Sequence, residues 1–256
     1  MRASGLPSSP MLPIIFCDEH IVVIHKPSGL LVHRSEIDRH ETRFAVQLLR
    51  DQIGRRVYPA HRLDRGTSGV LVFALDKETA RLLGGQFERQ EVAKTYLAVV
   101  RGHPPESGHI DHALSRRRDD AEWVGDKTSD EAQPAVTDFR CLATCELPHQ
   151  VDRYPTSRYA LVEVTPHTGR RHQIRRHLKH VAHPVIGDAT FGKGRHNRLF
   201  QTLFGCHRML LACARMQLIH PYTGEPLDLV APPDGEFAAV LEALGWAGAL
   251  PAMLRQ

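Results

Sequence analysis

The stretch "HRLDRGTSGVLVFALD", residues 61–76, runs from a charged cluster through a turn of small residues into an unbroken apolar segment. An apolar run of this length, closed by Asp76, predicts a strand buried on both faces at the centre of a sheet. Gly66 and Gly69 allow backbone angles and close approaches that other residues resist. The turn therefore places the carboxylate of Asp64 at the mouth of a central strand, where a side chain meets solvent or a ligand. The plainer alternative is an aspartate that caps its own turn through Thr67 or Ser68.

Outward from this strand the pattern changes period several times. "KETARLLGGQFERQ" (77–90) has the spacing of an amphipathic helix, and "KTYLAVVRG" (94–102) reads as another strand. Upstream, "PIIFCDEHIVVIHKPSGLLVH" (13–33) is a hairpin around Asp-Glu-His, closed by Pro-Ser-Gly. Residues 42–53 take helical spacing, with Phe44, Leu48 and Leu49 behind Thr42 as the expected N-cap. Residues 103–133, rich in Pro, Gly, Arg and Asp, are expected to form a surface excursion. Alternation returns in "AVTDFRCLAT" (135–144) and "RYALVEVTP" (158–166), and a helix is predicted from Gly169 to about Val181. "LLACARMQLIHPYTGEPLDLVAP" (210–232) predicts two strands around a Thr-Gly-Glu turn, followed by a helix near residues 235–245. Strands outnumber helices and rarely alternate with them. The expected fold class is thus α+β: a mixed, largely antiparallel central sheet with flanking helices, in one domain over residues 13–250. Residues 1–12 are read as a disordered tail.

The chain has 256 residues, enough for a well-buried core, and a net charge of +4, which is only mildly basic. The positive charge is concentrated in "RRHQIRRHLKH" (170–180), which reads either as a nucleic-acid face or as an ordinary solvated one. On a helix there, Ile174, Leu178 and Val181 form one stripe, with Arg171 and Arg175 at its edge. An arginine bordering a core needs a partner, and a carboxylate at a neighbouring strand end would serve; otherwise its stem covers apolar surface while its head reaches water. Five scattered cysteines and no secretory leader point to a reducing, cytoplasmic setting. No apolar run reaches the roughly 18 to 20 residues of a membrane span.

Three blocks in order, "HRLDRGTSG" (61–69), "KTYLAVVRG" (94–102) and "HTGRRHQIRRHLKHVAHPVIGD" (167–188), resemble the signature segments of the RluA-type pseudouridine synthases. "HPYTGEPL" (220–227) is similar to that family's closing hairpin, and the resemblance spans roughly residues 12–250. It implies an RNA-modifying fold without metal or organic cofactor and, in this chain, without a separate N-terminal RNA-binding domain. It implies that Asp64 is the catalytic aspartate, Tyr96 the active-site tyrosine and Arg175 the partner of the aspartate. Arg62 matches an arginine that helps displace the target nucleotide; Arg65, Thr67, Arg171 and His172 fall in the same blocks as substrate-binding candidates. Arg170, Arg176 and Lys179 are candidates for the RNA backbone. "GLLVHRSEIDRHETRFAVQLLRDQIG" (29–54) and "RYPTSRYALVEV" (153–164) are most similar to members acting on uridine 65 of tRNA, so tRNA is the expected partner of a monomeric enzyme, with rRNA the alternative. Ala212, Met216 and Phe191 depart from the family's usual histidine, leucine and tyrosine.

The residues suit such chemistry on their own terms. Turning uridine into pseudouridine breaks an N-glycosidic bond and rejoins the base through carbon, which one carboxylate in a closed pocket can promote. A hydrolytic glycosidase wants a second carboxylate, and no obvious one accompanies Asp64. Whether Asp64 attacks the ribose or abstracts a ribose proton stays open. The base must leave its stack, and Tyr96 offers a ring for it to rest on, with its hydroxyl a candidate for removing the C5 proton; the alternative is a core tyrosine. Cys141, Cys145 and His149 would align as metal ligands on a helix, but they follow a strand pattern and read as core cysteines. His172, His177, His180 and His183 form no zinc motif, and most of them read as RNA-facing or solvated. Two other classes remain: an RNA-binding or RNA-folding protein, separated by product formation, and a metal-dependent RNA hydrolase, separated by chelation.

Overall fold

A computed structural model describes residues 11–33, 41–115 and 131–255. Ten strands form one sheet: β1 (Ile14–Cys17), β2 (Ile21–Lys26), β3 (Tyr58–Pro59), β4 (Ser68–Ala74), β5 (Ala93–Arg101), β6 (Ser107–Asp111), β7 (Val136–Leu147), β8 (Ser157–Pro166), β9 (Leu211–Ile219) and β10 (Pro226–Val230). Their order is β1-β2-β4-β9-β5-β8-β7-β6, with β3 added on β4 and β10 on β9. Every pairing is antiparallel except β4 with β9, where Ser68 meets Ala212 and Gly69 meets Cys213. The α+β reading with a mixed, largely antiparallel sheet therefore holds, and the parallel step falls beside the Asp64 turn.

All seven residues of β4 are buried, as the apolar run requires. Gly69 sits at φ +112, and a β-carbon there would lie 2.1 Å from the carbonyl oxygen of Cys213, so the close β4–β9 approach needs glycine. Helices α1 (Ala45–Ile53) and α2 (Lys77–Glu88) cover the β2–β4 end, where Leu49 and Leu83 reach the core. Asp76 caps α2 by accepting from the Thr79 amide. Helix α3 (Gln173–His180) packs Ile174 and Leu178 against Ala98, Val100 and Val162. Helices α4 (Gly194–Phe204) and α5 (Gly235–Ala243) enclose Phe200, Phe237 and Trp246 with Leu97 and Tyr159 of the sheet.

Several local expectations are corrected. Leu12, read into the tail, is buried and exchanges two hydrogen bonds between its backbone and the Gln52 amide; residues 1–10 lie outside the described residues. Thr42 does not cap α1: the helix starts after Phe44, whose ring is buried and leads the chain inward. The stretch 103–133 contains β6, an edge strand paired with β7, followed by a Leu114–Gln133 bridge; residues 116–130 lie outside the described residues. Helix α3 begins at Gln173 rather than Gly169, because His172 takes a left-handed conformation at φ 54. Helix α4 was not anticipated, although Leu199, Phe200, Leu203 and Phe204 supply an apolar face among its charges.

Candidate active site

Asp64 lies in the loop between the two-residue β3 and β4, at the mouth of the central strand. The turn is closed by its backbone: the Thr67 amide donates to the Asp64 carbonyl at 3.0 Å. The carboxylate is thereby spared the capping role. The loop is braced from beneath by Lys26, fully buried, whose Nζ donates to the carbonyls of Pro27, Leu30 and Arg65 at 2.9, 2.6 and 3.3 Å. Burial, reinforced by the Arg208 charge, pulls the Lys26 ammonium down to about 7 against the pull of Asp64. Ser28 Oγ and the Gly29 amide tie the same loop by donating to the carbonyls of Gly66 and Arg65 at 2.7 and 2.8 Å. None of these braces was anticipated. Their signal is the Lys-Pro-Ser-Gly that closes the first hairpin.

The arginine at the edge of the α3 stripe has the carboxylate partner it needs. Arg175 Nη1 donates to Asp64 Oδ2 at 2.9 Å, while Nε and Nη2 donate to Asp188 Oδ2 and Oδ1 at 2.7 and 2.9 Å. Its guanidinium also lies 5.0 Å from the ring centre of Phe191, where phenylalanine replaces the tyrosine expected from the resemblance. Burial opposes the carboxylate charge of Asp188, but the bonds from Arg175 and the Phe191 amide outweigh it and hold Asp188 below the usual carboxylate range. Asp188 was part of a recognised block but had no role in the sequence reading.

Asp64 and Tyr96 face a cleft of about 590 Å³, whose wall includes Leu211 and whose rim carries Arg62 and Arg171. Among the described residues that line it, Asp64 is the sole acid, set among five arginines and Lys94. The nearest other carboxylate around Arg175, Asp188, has no exposed side-chain surface, so it cannot activate water for a hydrolysis. A second cavity of about 730 Å³ opens on the other side of Asp64 and shares Arg62, His172 and Arg175 with the first.

Tyr96 shares a strand face with Ala98 and Val100, as alternation predicts, and is half-buried on the cleft wall. Across the strand pair it meets Cys213. Burial, and then the Cys213 neighbour, raise the phenol well above 10, so it stays protonated. That favours the ring over the hydroxyl as its contribution.

The remaining candidates divide. Arg62 is exposed at the junction of the two cavities, and Arg171 is exposed in the turn before α3 rather than on the helix. His172 Nε2 stands 3.7 Å from Asp64 Oδ1. Thr67 is buried beneath the cleft. Arg65, expected to bind substrate, lines the second cavity and donates to Glu41 and to the Gly29 carbonyl, at 2.5 and 3.2 Å. Of the backbone candidates, Arg170 lies before the helix and donates to the Pro134 carbonyl at 3.1 Å, and Arg176 donates to the Ser115 carbonyl at 3.0 Å. Lys179 is exposed, 5.7 Å above Phe191. His177 is not RNA-facing: it is fully buried, bound to Thr137 Oγ1 at 2.9 Å and donating to the His112 carbonyl at 3.0 Å. His183 likewise donates to the Arg101 carbonyl at 3.0 Å, whereas His180 stacks on His112 at the surface, ring centres 3.8 Å apart. Cys141 and Cys145 cannot share a metal, because a bulge between Cys141 and Ala143 sends them into cores on opposite sides of the sheet.

A single oriented carboxylate, a tyrosine ring on the wall and a basic rim around a cleft large enough for a nucleotide define an enzyme that acts on one base of an RNA chain. Residues 20–180 match the family model described as RNA pseudouridylate synthase. The tRNA pseudouridine synthase C of Pectobacterium carotovorum subsp. carotovorum is 50% identical over 244 residues, covering 94% of this chain and 64% of that protein. The protein of the same name from Yersinia pestis is 47% identical over 245 residues, covering 96% and 95%. Among solved structures, Human RNA Pseudouridylate Synthase Domain Containing 4 superposes with a TM-score of 0.68 at 29% identity, covering 91% of this chain and 93% of that one. The chain belongs to the RNA pseudouridylate synthase family and is an isomerase of that class. It spans a little under two thirds of the Pectobacterium relative and nearly all of the Yersinia one. Among the described residues, no helix is long and apolar enough to cross a membrane.

Proposed function

We propose that this protein converts a uridine of tRNA to pseudouridine, at the uridine 65 that the resemblance implies, with Asp64 as the catalytic carboxylate. The observation that carries this reading is the placement of Asp64 as the sole acid in a basic cleft, oriented by Arg175 at 2.9 Å. Arg175 holds Asp64 Oδ2, and Oδ1 lies 3.7 Å from His172 Nε2. The ionised carboxylate then attacks the ribose or takes a ribose proton. In either branch the C1′–N1 bond breaks, the base turns and joins C1′ through C5, C5 gives up its proton while N1 gains one, and Asp64 is regenerated as the cleft keeps water away. Tyr96 supplies a ring against which an unstacked uracil can rest, and Arg62 stands where it can occupy the space the base vacates. The rim arginines meet phosphates. The names of the relatives support tRNA over rRNA.

The test is to incubate the purified chain with unmodified tRNA transcripts and with rRNA fragments, then to map pseudouridine by sequencing. Modification of tRNA at a single uridine is the expected result. Modification confined to rRNA would move the substrate assignment, and RNA binding without any product would favour an RNA-folding role.

A further inference from the structure

Asp188 makes no contact with the substrate cleft, yet it takes the larger share of Arg175. Two of the guanidinium's three nitrogens bind Asp188 side-on, at 2.7 and 2.9 Å, and only Nη1 is left for Asp64. The Asp188 carboxylate is itself immobile. Its Oδ1 also accepts from the amides of Thr190 and Phe191 at 2.8 and 2.9 Å, and its carbonyl accepts from Asn197 Nδ2 at 3.0 Å and from the Gly192 amide at 3.1 Å. The turn around it has no room to give: a β-carbon on Gly187 would fall 2.0 Å from the Arg208 carbonyl, and one on Gly192 would fall 2.2 Å from the Asp188 carbonyl. Phe191 then covers one face of the guanidinium.

Arg175 is therefore clamped on one edge by a full negative charge and presents a single N–H to Asp64. Two opposite charges in contact act on a third group as a dipole, with far less reach than a bare cation. A bidentate pair with an unshared arginine would instead hold the catalytic carboxylate in its most stabilised, least reactive form. We infer that Asp188 is a positioning residue for the isomerisation: it aims Arg175 at Asp64 Oδ2 and, by absorbing most of the cation's charge, keeps Asp64 oriented but reactive. The inference rests on the proposed role of Asp64. The charged and titratable groups that face Asp64 include Arg175, His172 at 3.7 Å, Tyr96 across the cleft and, behind the loop, Lys26.

The test is single-turnover conversion of a tRNA transcript by the full chain, with product formation by the parent measured first in the same assay. Absence of product from the parent would count against the function itself, whereas the inference is judged on differences among variants. Asp188→Asn removes the charge and keeps the shape. It is expected to slow conversion by about tenfold or more while leaving tRNA affinity within about threefold, because an unshared Arg175 no longer presents a single aimed N–H to Asp64. Arg175→Met should abolish this effect, so that Arg175→Met and the Asp188→Asn, Arg175→Met double variant convert at equal rates. The double variant also serves if Asp188→Asn alone fails to fold, since it leaves no buried charge unpaired. A parent-like rate for Asp188→Asn, or a rate loss matched by an equal loss of tRNA affinity, would overturn the inference. So would a further loss of about tenfold on adding Asp188→Asn to Arg175→Met, which would show Asp188 acting by another route.

Discussion

Arg175 Nη1 and Asp64 Oδ2 meet at 2.9 Å, joining side chains 111 positions apart in sequence. The contact requires a planar group that reaches Asp188 and Asp64 together. Lysine keeps the charge but is a point donor, and methionine keeps only the stem. Arg175→Lys should retain partial activity, down about tenfold, and Arg175→Met should fall by about a hundredfold or more, in single-turnover conversion of tRNA. Parent-like rates for both would show that the pair has no part in the reaction.

Tyr96 separates ring from hydroxyl. Its phenol is held protonated by burial beside Cys213, so Tyr96→Phe should convert RNA within about threefold of the parent rate. Tyr96→Ala removes the platform and should weaken productive binding by about 1 to 3 kcal/mol, the usual worth of base stacking. A slow phenylalanine variant that accumulates an unfinished base would return the proton transfer to the hydroxyl.

Lys26 is expected to act through the loop. Lys26→Met would leave the carbonyls of Pro27, Leu30 and Arg65 without their donor. The cost in urea unfolding should be about 2 to 4 kcal/mol, since each buried carbonyl left unpaired costs about 1 to 3 kcal/mol and water recovers part of it. Activity should fall with the order of the Asp64 loop. Parent-like stability would mean that the loop holds itself.

His61, on the cleft wall, accepts from the Val72 amide at 3.1 Å and stacks on Phe87. Burial, aided by the Lys94 charge, lowers its pKa from 6.5 to about 3. The unfolded chain therefore binds a proton that the folded chain refuses, and stability declines as pH falls from 6.5 toward 3. Between pH 6.5 and 5 the loss at this one site should be about 1 kcal/mol or more. His61→Gln, which keeps an acceptor but cannot be charged, should flatten this part of the stability profile in chemical unfolding at several pH values. An unchanged slope would assign the acid sensitivity elsewhere.

The sheet was legible because β4, β5, β8 and β9 are dictated by side-chain patterns that local chemistry enforces. At the mouth of the site Asp64 and Arg175 stood out by place with other readings open, and the family resemblance singled out all three of Asp64, Tyr96 and Arg175, which the structure sets on one cleft. What the sequence concealed was the partner of each group. Asp188 is an unremarkable turn residue until the chain folds it under Arg175, and Lys26 looks like a strand terminus until three carbonyls close on it. The partner of Arg65 was hidden in the same way. Its neighbours in sequence face the cleft, while its own guanidinium turns to Glu41. His177 looked like part of a basic face, but its place on the inner side of α3 buries it against Thr137. The parallel β4–β9 step, set by the glycine at 69, is a contact across some 140 residues that periodicity does not reveal.

The most direct measurement is single-turnover formation of pseudouridine in a tRNA transcript by the parent and by Asp64→Asn, with RNA affinity measured in parallel. The amide keeps the size of the side chain and removes the charge and the nucleophile. The account predicts product at one uridine with the parent, none with Asp64→Asn, and affinities within about tenfold of each other. Turnover by Asp64→Asn at a rate near the parent's would contradict it, because the sole acid in the cleft would then have no chemical role.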